Sequence, residues 1–346
     1  MVPSLHLVVE FFGCDSNALS RSKYIKDVFL SCVKIADLHK IKSHFYQFNP
    51  HGVTGFVLLR ESHISIHTWP EDGYAAIDAF TCGDQYKAFV AVEYLSRSLK
   101  PTRVVVKQIM RGREQRKDIL VAKKIDSEQE DVFSKEILHK KTKFQTIVVE
   151  KHPVFGTMLR LDKEMQIASA DEKDYSTPFV AEAFRLRPDA KRIAILGNGD
   201  CGVLREILAQ PVEEAILVEI DKHVIDVAKK HFPAVVGSSL QDKRAKIVIA
   251  DCFSFLEKER GFDALFVDLT TSPIGEEVSH EKIIALCKAA LAEKGIVAIQ
   301  SGYISEPADR EIEELLRKEF KNTSKKTALI HSFSFVKPWS FNYGYN

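Results

Sequence analysis

The sequence predicts an α/β plus α+β chain: a small N-terminal α+β layer, then a β-rich subdomain, then a doubly wound parallel sheet. Three observations carry this reading. Residues 1–113 alternate short apolar runs with helical patterns. Residues 114–131 are polar and densely charged. From residue 190 onward, short buried-strand runs alternate with helical segments.

Each element can be justified in turn. Residues 5–12 (LHLVVEFF) read as a strand and residues 22–36 as an amphipathic helix. Residues 55–59 and 65–68 are strand-like. Residues 84–99 place apolar side chains at helical spacing, and the valine-rich residues 103–110 read as a strand. Residues 114–131 are the linker candidate, with a solvated helix as the alternative. Residues 132–183 form the β-rich subdomain, with strand and turn patterns such as TIVVEKH and FGTMLRLD. Residues 184–346 complete the chain. There RIAIL, EAILVE, KIVIA, DALFVD and GIVAIQ are the strands, and residues 222–231 and 281–292 are examples of the helices between them. This is a Rossmann-like alternation.

Composition narrows the function. Of 346 residues, 45% are hydrophobic and 28% charged, as in a globular protein with a real core. A formal net charge of +1 argues against a nucleic-acid partner. Cys14, Cys32, Cys82, Cys201, Cys252 and Cys287 are scattered without a CxxC pair, so neither a metal site nor a disulfide framework is expected. Free thiols, no basic leader and no membrane-length apolar run give the expectation of a cytoplasmic protein without a membrane partner.

Chemistry concentrates in ESHISIHTWPEDGYAAIDAFTCG, residues 61–83, which gathers Ser62, His63, His67, Glu71 and Cys82. A hydroxyl, an imidazole and a thiol are the parts of an acyl-transfer site. From residue types alone, a Cys–His hydrolase and a strand pair with incidental polar residues both remain open. The order and spacing go further. Together with HLVVEFFGCD and FNPHGVTG, this segment closely resembles the bacterial and archaeal S-adenosylmethionine decarboxylases over residues 5–113.

That resemblance implies the α+β sandwich of those enzymes and a self-processing chain. The Ser62 hydroxyl attacks the Glu61 carbonyl, and elimination leaves a pyruvoyl group at Ser62 as the cofactor. His67 matches the residue assisting elimination, and Thr54 stands where the family has a helper serine. The pyruvoyl carbonyl would form a Schiff base with the substrate amine and act as electron sink for CO2 loss. Cys82 matches the acid that returns a proton to the substrate carbon. Phe48 and Glu71 fall at positions for adenine and ribose, and His63 reads as structural. A pyruvoyl decarboxylase of arginine or ornithine uses the same chemistry and stays open as an alternative.

Farther on, GNGDCG (197–202) follows RIAIL and matches GxGxxG, with Glu219 ending the next strand. A dehydrogenase is the competitor. Asp200 inside the loop, with Glu219, Asp251 and Asp268 at successive strand ends, would repel a pyrophosphate and attract a cationic nucleoside. With FQTIVVE, FGTMLRLD, DEKDY, LVEID, ADCF and VDLTTSP, the chain from residue 141 resembles the spermidine and spermine synthases. This implies Glu219 on the ribose, Asp251 on adenine and Asp200 on the aminopropyl ammonium. Gln145, Gly197 and Gly199 line the nucleoside site, and Asp268 and Tyr175 orient and deprotonate the acceptor amine.

Four departures stand out. Asn198 and Cys201 replace glycines of the usual loop. DLTTSP replaces DSxDP, and Ser176 stands where a histidine is common. Lys337 in SFVKPW occupies a glutamate position.

The expectation is therefore a bifunctional polyamine-biosynthesis enzyme that takes S-adenosylmethionine, decarboxylated S-adenosylmethionine and a polyamine (putrescine or spermidine), and forms a homodimer or higher homo-oligomer. A decarboxylase carrying a weak, regulatory nucleoside-binding module is the remaining alternative.

Overall fold

A computed structural model of the chain describes residues 4–82, 84–111, 119–124, 133–269, 279–334 and 337–346. It divides into two compact units, residues 1–135 with 152–154, and residues 136–151 with 155–346.

The first unit is built on one antiparallel sheet. Its strands are β1 (Ser4–Phe12), β2 (Lys40–Gln47), β3 (Val53–Leu59), β4 (Ser62–Trp69), β5 (Tyr74–Thr81), β6 (Arg103–Arg111) and β7 (Ile119–Lys124), in the order β2-β3-β4-β5-β1-β6-β7. The period-two alternation of the sequence sets the two faces. Leu5, Leu7, Val9 and Phe11 are buried, and so are Val53, Val57, Leu59, Ile64, Ile66 and Ile77. Against this face pack α2 (Ser22–Ile35), through Ile25, Phe29 and Cys32, and α3 (Gln85–Leu99), through Ala88, Ala91, Val92 and Leu95; the short α1 (Ser16–Leu19) precedes them. Asp84 caps α3 by accepting a hydrogen bond from the Tyr86 amide. The opposite face carries Thr54, Phe56, Leu58, His63, Ser65, His67 and Trp69, of which Phe56, Leu58, His67 and Trp69 are exposed.

Two elements differ from expectation. Strand β2 has no buried residue, so it shows no alternation. Its lysines suit a sheet edge. Strand β7 lies inside the expected linker and pairs with β6, extending the sheet. The polar linker reading is therefore corrected for residues 119–124: the free edge of β6 offers backbone partners, and ILVA supplies a strand. The rest of 114–131 lies outside the described residues.

The second unit begins with a four-stranded sheet, β8 (Lys135–Lys141), β9 (Thr146–His152), β10 (Gly156–Leu161) and β11 (Glu164–Ala168). Ile147, Val149, Leu159 and Ile167 pack with Val224, Val227, Phe232 and Val235 of α6 (Lys222–His231) and its C-terminal neighbours. Helix α4 (Glu172–Leu186) follows and crosses the expected boundary at 183/184, so that boundary falls within a helix rather than between domains.

The large sheet has β12 (Arg192–Gly197), β13 (Glu214–Glu219), β14 (Ala245–Ile249), β15 (Phe262–Asp268), β16 (Leu291–Tyr303), β17 (Asn322–Ala328) and β18 (Trp339–Tyr345). The order is β14-β13-β12-β15-β16-β18-β17. The first five strands are parallel. Strand β18 runs antiparallel between β16 and β17, so the expected parallel sheet ends in an antiparallel edge. Both faces are covered. Ile193 and Ile195 join one core with α4 and α5 (Gly202–Leu208). Ala194 and Leu196 join the other with α8 (Cys252–Lys258), α9 (His280–Ala290) and α10 (Pro307–Glu319). Among the described residues no helix is long and apolar enough to cross a membrane.

Candidate active sites

In the first unit the turn between β3 and β4 presents the Glu61–Ser62 peptide. Ser62 has φ of 145°, a conformation that non-glycine residues rarely adopt and that costs roughly 1–3 kcal/mol. The Ser62 hydroxyl lies 3.3 Å from His63 Nδ1. The Glu61 carbonyl accepts a hydrogen bond from the Cys82 amide at 2.9 Å, which polarises the carbonyl carbon beside the serine. Pairing of Ser62 with Thr81 across β4 and β5 brings Cys82 there, with its thiol exposed.

The Glu61 carboxylate is gripped twice by His39, from Nδ1 at 2.5 Å and from the amide at 3.2 Å. Partial burial raises this carboxyl, but the two His39 hydrogen bonds outweigh burial and leave it below the usual range. His39 carries no motif, and nothing in the sequence singles it out.

Thr54 and His67 form a separate pair, Thr54 Oγ1 to His67 Nδ1 at 2.7 Å, across the β3–β4 ladder on the face opposite the buried one. His67 is five residues along β4 from Ser62, about 16 Å at ~3.3 Å per residue. One copy therefore does not bring His67 to Ser62. Glu71 pairs with His51 at 3.2 Å, and half-exposed Phe48 sits edge-on to Tyr46. His63 packs edge-on against Phe80. Gly83 lies outside the described residues.

The second unit gathers its expected residues around one cavity of ≈ 170 Å³, lined by Gln145, Tyr175, Gly197, Gly199, Asp200, Glu219, Asp251 and Asp268 among others. Gly197, Gly199, Asp200, Glu219, Asp251 and Asp268 lie at or just beyond the carboxyl ends of β12, β13, β14 and β15, where sheets of this kind bind ligands; Gln145 precedes β9 and Tyr175 belongs to α4. Gly197 has φ of 84°, and a Cβ there would lie 2.3 Å from the Asp268 carbonyl. A Cβ at Gly199 would lie 2.9 Å from Glu219 Oε2.

The carboxylates are strongly perturbed. Burial, with the Asp268 charge adding to it, pushes Asp200 up to about 7. Burial pushes Glu219 to about 7 and Asp268 to about 6. The Tyr175 hydroxyl donates to Asp268 Oδ1, and burial holds the phenol well above its ordinary range. Asn198 Nδ2 donates to Asp268 Oδ2 at 2.9 Å. Glu219 accepts from the Asp221 amide at 2.9 Å, and Asp221 in turn is held by Thr142 and Gln145. Asp251 caps α8 by accepting from the Ser254 amide.

The departures noted in the sequence have distinct fates. Asn198 takes φ of 64° and Cys201 φ of 68°. The buried cysteine therefore adopts the left-handed backbone that glycine favours. Lys337 pairs with Glu306 and lies over the Tyr303 ring; it is not among the cavity residues. Ser176 donates to Glu172 at 2.5 Å, within a cluster completed by Arg205. Thr270–Pro273 of DLTTSP lie outside the described residues, as do Phe335 and Val336. Gln166, Phe333 and Trp339 also line the cavity. Only Trp339 had a cue, in SFVKPW.

One unit therefore presents a strained Glu–Ser peptide beside a cysteine, and the other a cavity lined by the carboxylates of Asp200, Glu219, Asp251 and Asp268. The known families agree. The S-adenosylmethionine decarboxylase family matches residues 5–112, and the spermine/spermidine synthase domain matches residues 173–338. The S-adenosylmethionine decarboxylase proenzyme of Sulfurihydrogenibium sp. is 51% identical over 108 residues, 31% of this chain and 81% of that protein. That of Aquifex aeolicus is 50% identical over 100 residues, 29% of this chain and 74% of that protein. A spermidine synthase crystallised with the transition-state analogue AdoDATO shares 27% identity and a TM-score of 0.57, covering 61% of this chain and 73% of that one. The Thermotoga maritima spermidine synthase gives 27% and 0.56, covering 61% and 72%.

The chain belongs to the S-adenosylmethionine decarboxylase family and carries a spermine/spermidine synthase domain behind it. It is a bifunctional polyamine-biosynthesis enzyme, and proenzymes of its family form a pyruvoyl group from a serine by self-cleavage.

Proposed function

We propose that Ser62 is the processing serine. Its hydroxyl attacks the Glu61 carbonyl carbon, converting the peptide to an ester and freeing the Ser62 nitrogen. Loss of the Ser62 α-proton then breaks the Ser62 Cβ–Oγ bond and expels the main-chain α-carboxylate of Glu61, cutting the chain. The enamine left at residue 62 takes up water and releases ammonia. Backbone strain at Ser62 and the Cys82 amide on the Glu61 carbonyl both favour the first step. The pyruvoyl group supplies an electron sink for CO2 loss from S-adenosylmethionine. Cys82, exposed beside it, returns a proton to the product carbon, and Phe48 and Glu71 bind the adenosyl end.

The ~16 Å between Ser62 and the Thr54–His67 pair supports a homo-oligomer in which a second copy supplies that pair. The exposed Phe56, Leu58 and Trp69 on the same face suit such an interface.

In the second unit, a Rossmann-like transferase preceded by its β-rich subdomain, Glu219 holds the ribose of decarboxylated S-adenosylmethionine and Asp251 the adenine. Gln145, Gly197 and Gly199 shape that end. Asp200 binds the aminopropyl ammonium. The acceptor nitrogen, from putrescine or spermidine, attacks the carbon next to sulfur. The C–S bond breaks with its electron pair going to sulfur, and the amine proton passes to Asp268, which Tyr175 orients. Catalysis is chiefly positioning.

The observation that carries this reading is the convergence of Tyr175, Asp200, Glu219, Asp251 and Asp268 on one cavity. Lys337, paired with Glu306, leaves that cavity's charge unopposed, which favours an active transferase over a weak regulatory module. The test is intact mass before and after incubation, with labelled aminopropyl transfer to putrescine and to spermidine. Cleavage at Glu61–Ser62 and transfer to either amine support the reading. An intact chain, or transfer to neither, overturns the corresponding half.

A further inference from the structure

Asn198 lines the transferase cavity, in a loop position that resemblance assigns to glycine. It is 6% exposed and uses both ends of its amide. Nδ2 donates to Asp268 Oδ2 at 2.9 Å and to Asp200 Oδ1 at 3.2 Å. Oδ1 accepts from the Val203 and Leu204 amides, at 3.0 and 3.3 Å, where α5 begins. The φ of 64° is one asparagine tolerates better than most residues, so the side chain is available without a large backbone penalty. We infer that Asn198 is a positioning residue for aminopropyl transfer: its amide bridges Asp200 and Asp268, so that both carboxylates are ionised together to meet two ammonium groups.

The physical case is electrostatic. Asp200 and Asp268 lie in one buried cavity, and each negative charge opposes the other. A sulfonium donor with an aminopropyl ammonium, facing an amine acceptor, needs both carboxylates charged. A neutral amide that donates to both carboxylates stabilises the doubly ionised state without adding charge. Tyr175 on Oδ1 and Asn198 on Oδ2 hold the Asp268 carboxylate from both sides, fixing its plane toward the cavity. Asp200 gains a further donor from the Gly202 amide at 2.8 Å. The groups facing this pair from the packed elements are Tyr175 and Glu172 of α4, Arg205 of α5 and Glu219 of β13. Of these, only Arg205 is a cation, and it is occupied by Glu172 and Glu206.

This inference rests on the transferase reading, and its test separates the two. Asn198→Gly suits the positive φ but removes the amide. Asn198→Asp keeps an oxygen to accept from Val203 and Leu204 but replaces the donor with a charge. The pH profile of kcat/KM for transfer is measured for both variants on the full chain. Carboxyl titration of the unligated protein by 13C NMR is followed in parallel. In both variants the acid limb and the cavity aspartates should move to higher pH by about one unit, a ~10-fold loss below pH 6, with the larger shift in Asn198→Asp. If Asn198→Asp retains the wild-type profile and titration while only Asn198→Gly loses activity, the residue is a helix cap and the inference is overturned. If the wild type transfers no aminopropyl group but the titrations shift as stated, the transferase reading fails and the bridge stands.

Discussion

The two sites solve opposite problems. At Glu61–Ser62 the chain itself is the substrate of the first reaction, and the structure concentrates backbone features there: a positive φ, an amide on the scissile carbonyl and a clamp on the Glu61 side chain. The site lies at a turn of the antiparallel sheet, and one copy leaves His67 far away. The transferase cavity is lined by residues of one unit, and its chemistry resides in largely desolvated side chains. There the perturbing force is desolvation, which raises Asp200, Glu219 and Asp268 together. A reaction that breaks the chain calls for strain and neighbouring backbone donors. A reaction between two bound cations calls for paired carboxylates kept out of water.

The sharpest way to break this contrast is complementation. His67→Ala alone should abolish self-cleavage, as should Ser62→Ala. Co-expressing the two variants should restore cleavage in a fraction of chains, read by intact mass. No recovery from the mixture would argue that each copy processes itself.

The next largest effect concerns the transferase cavity. Asp268→Asn should lower kcat for transfer about 10²–10³-fold, in line with loss of a positioned base, while leaving chain cleavage unchanged. A fall in cleavage would tie the two sites together.

The pH response is smaller. The cavity carboxyls are raised by burial, so they are protonated in the free protein below about pH 6–7 and must ionise to hold a cation. Donor affinity should therefore rise roughly tenfold per pH unit below that range and level off above it, with proton release measurable by calorimetry in buffers of different ionisation enthalpy. The smallest effect is at Lys337. Because its ammonium is held by Glu306, Lys337→Glu should change transfer less than about twofold, near the weight of an exposed ion pair.

Much of this was legible in the sequence, for identifiable reasons. Strands β12, β13 and β15 are buried on both faces and read as apolar runs, and the carboxylates at their ends announced the cavity. Strand β14 read the same way from KIVIA, yet it is the sheet edge, with Ile247 and Ile249 exposed. Strand β2 was hidden because no residue of it is buried. Strand β7 was hidden inside a charged stretch, and α4 because its polar first turn resembles a loop. The β4 motif named Ser62 and His67 but not their separation. Spacing within a motif does not say which copy completes a site. Asn198 was visible as a departure from glycine, yet its bridge between two carboxylates depends on a loop folding back on β15. His39 reaches Glu61 only through the β2–β3 edge of the sheet.

The most direct test of the central claim is a single-protein conversion. Purified chain is supplied with carboxyl-labelled S-adenosylmethionine and an unlabelled polyamine, with no other enzyme present. The account predicts labelled CO2, methylthioadenosine and a polyamine longer by one aminopropyl unit, all lost in Ser62→Ala and with transfer rescued there by added decarboxylated S-adenosylmethionine. CO2 without an extended polyamine, or no extension even when the decarboxylated donor is supplied, would contradict it.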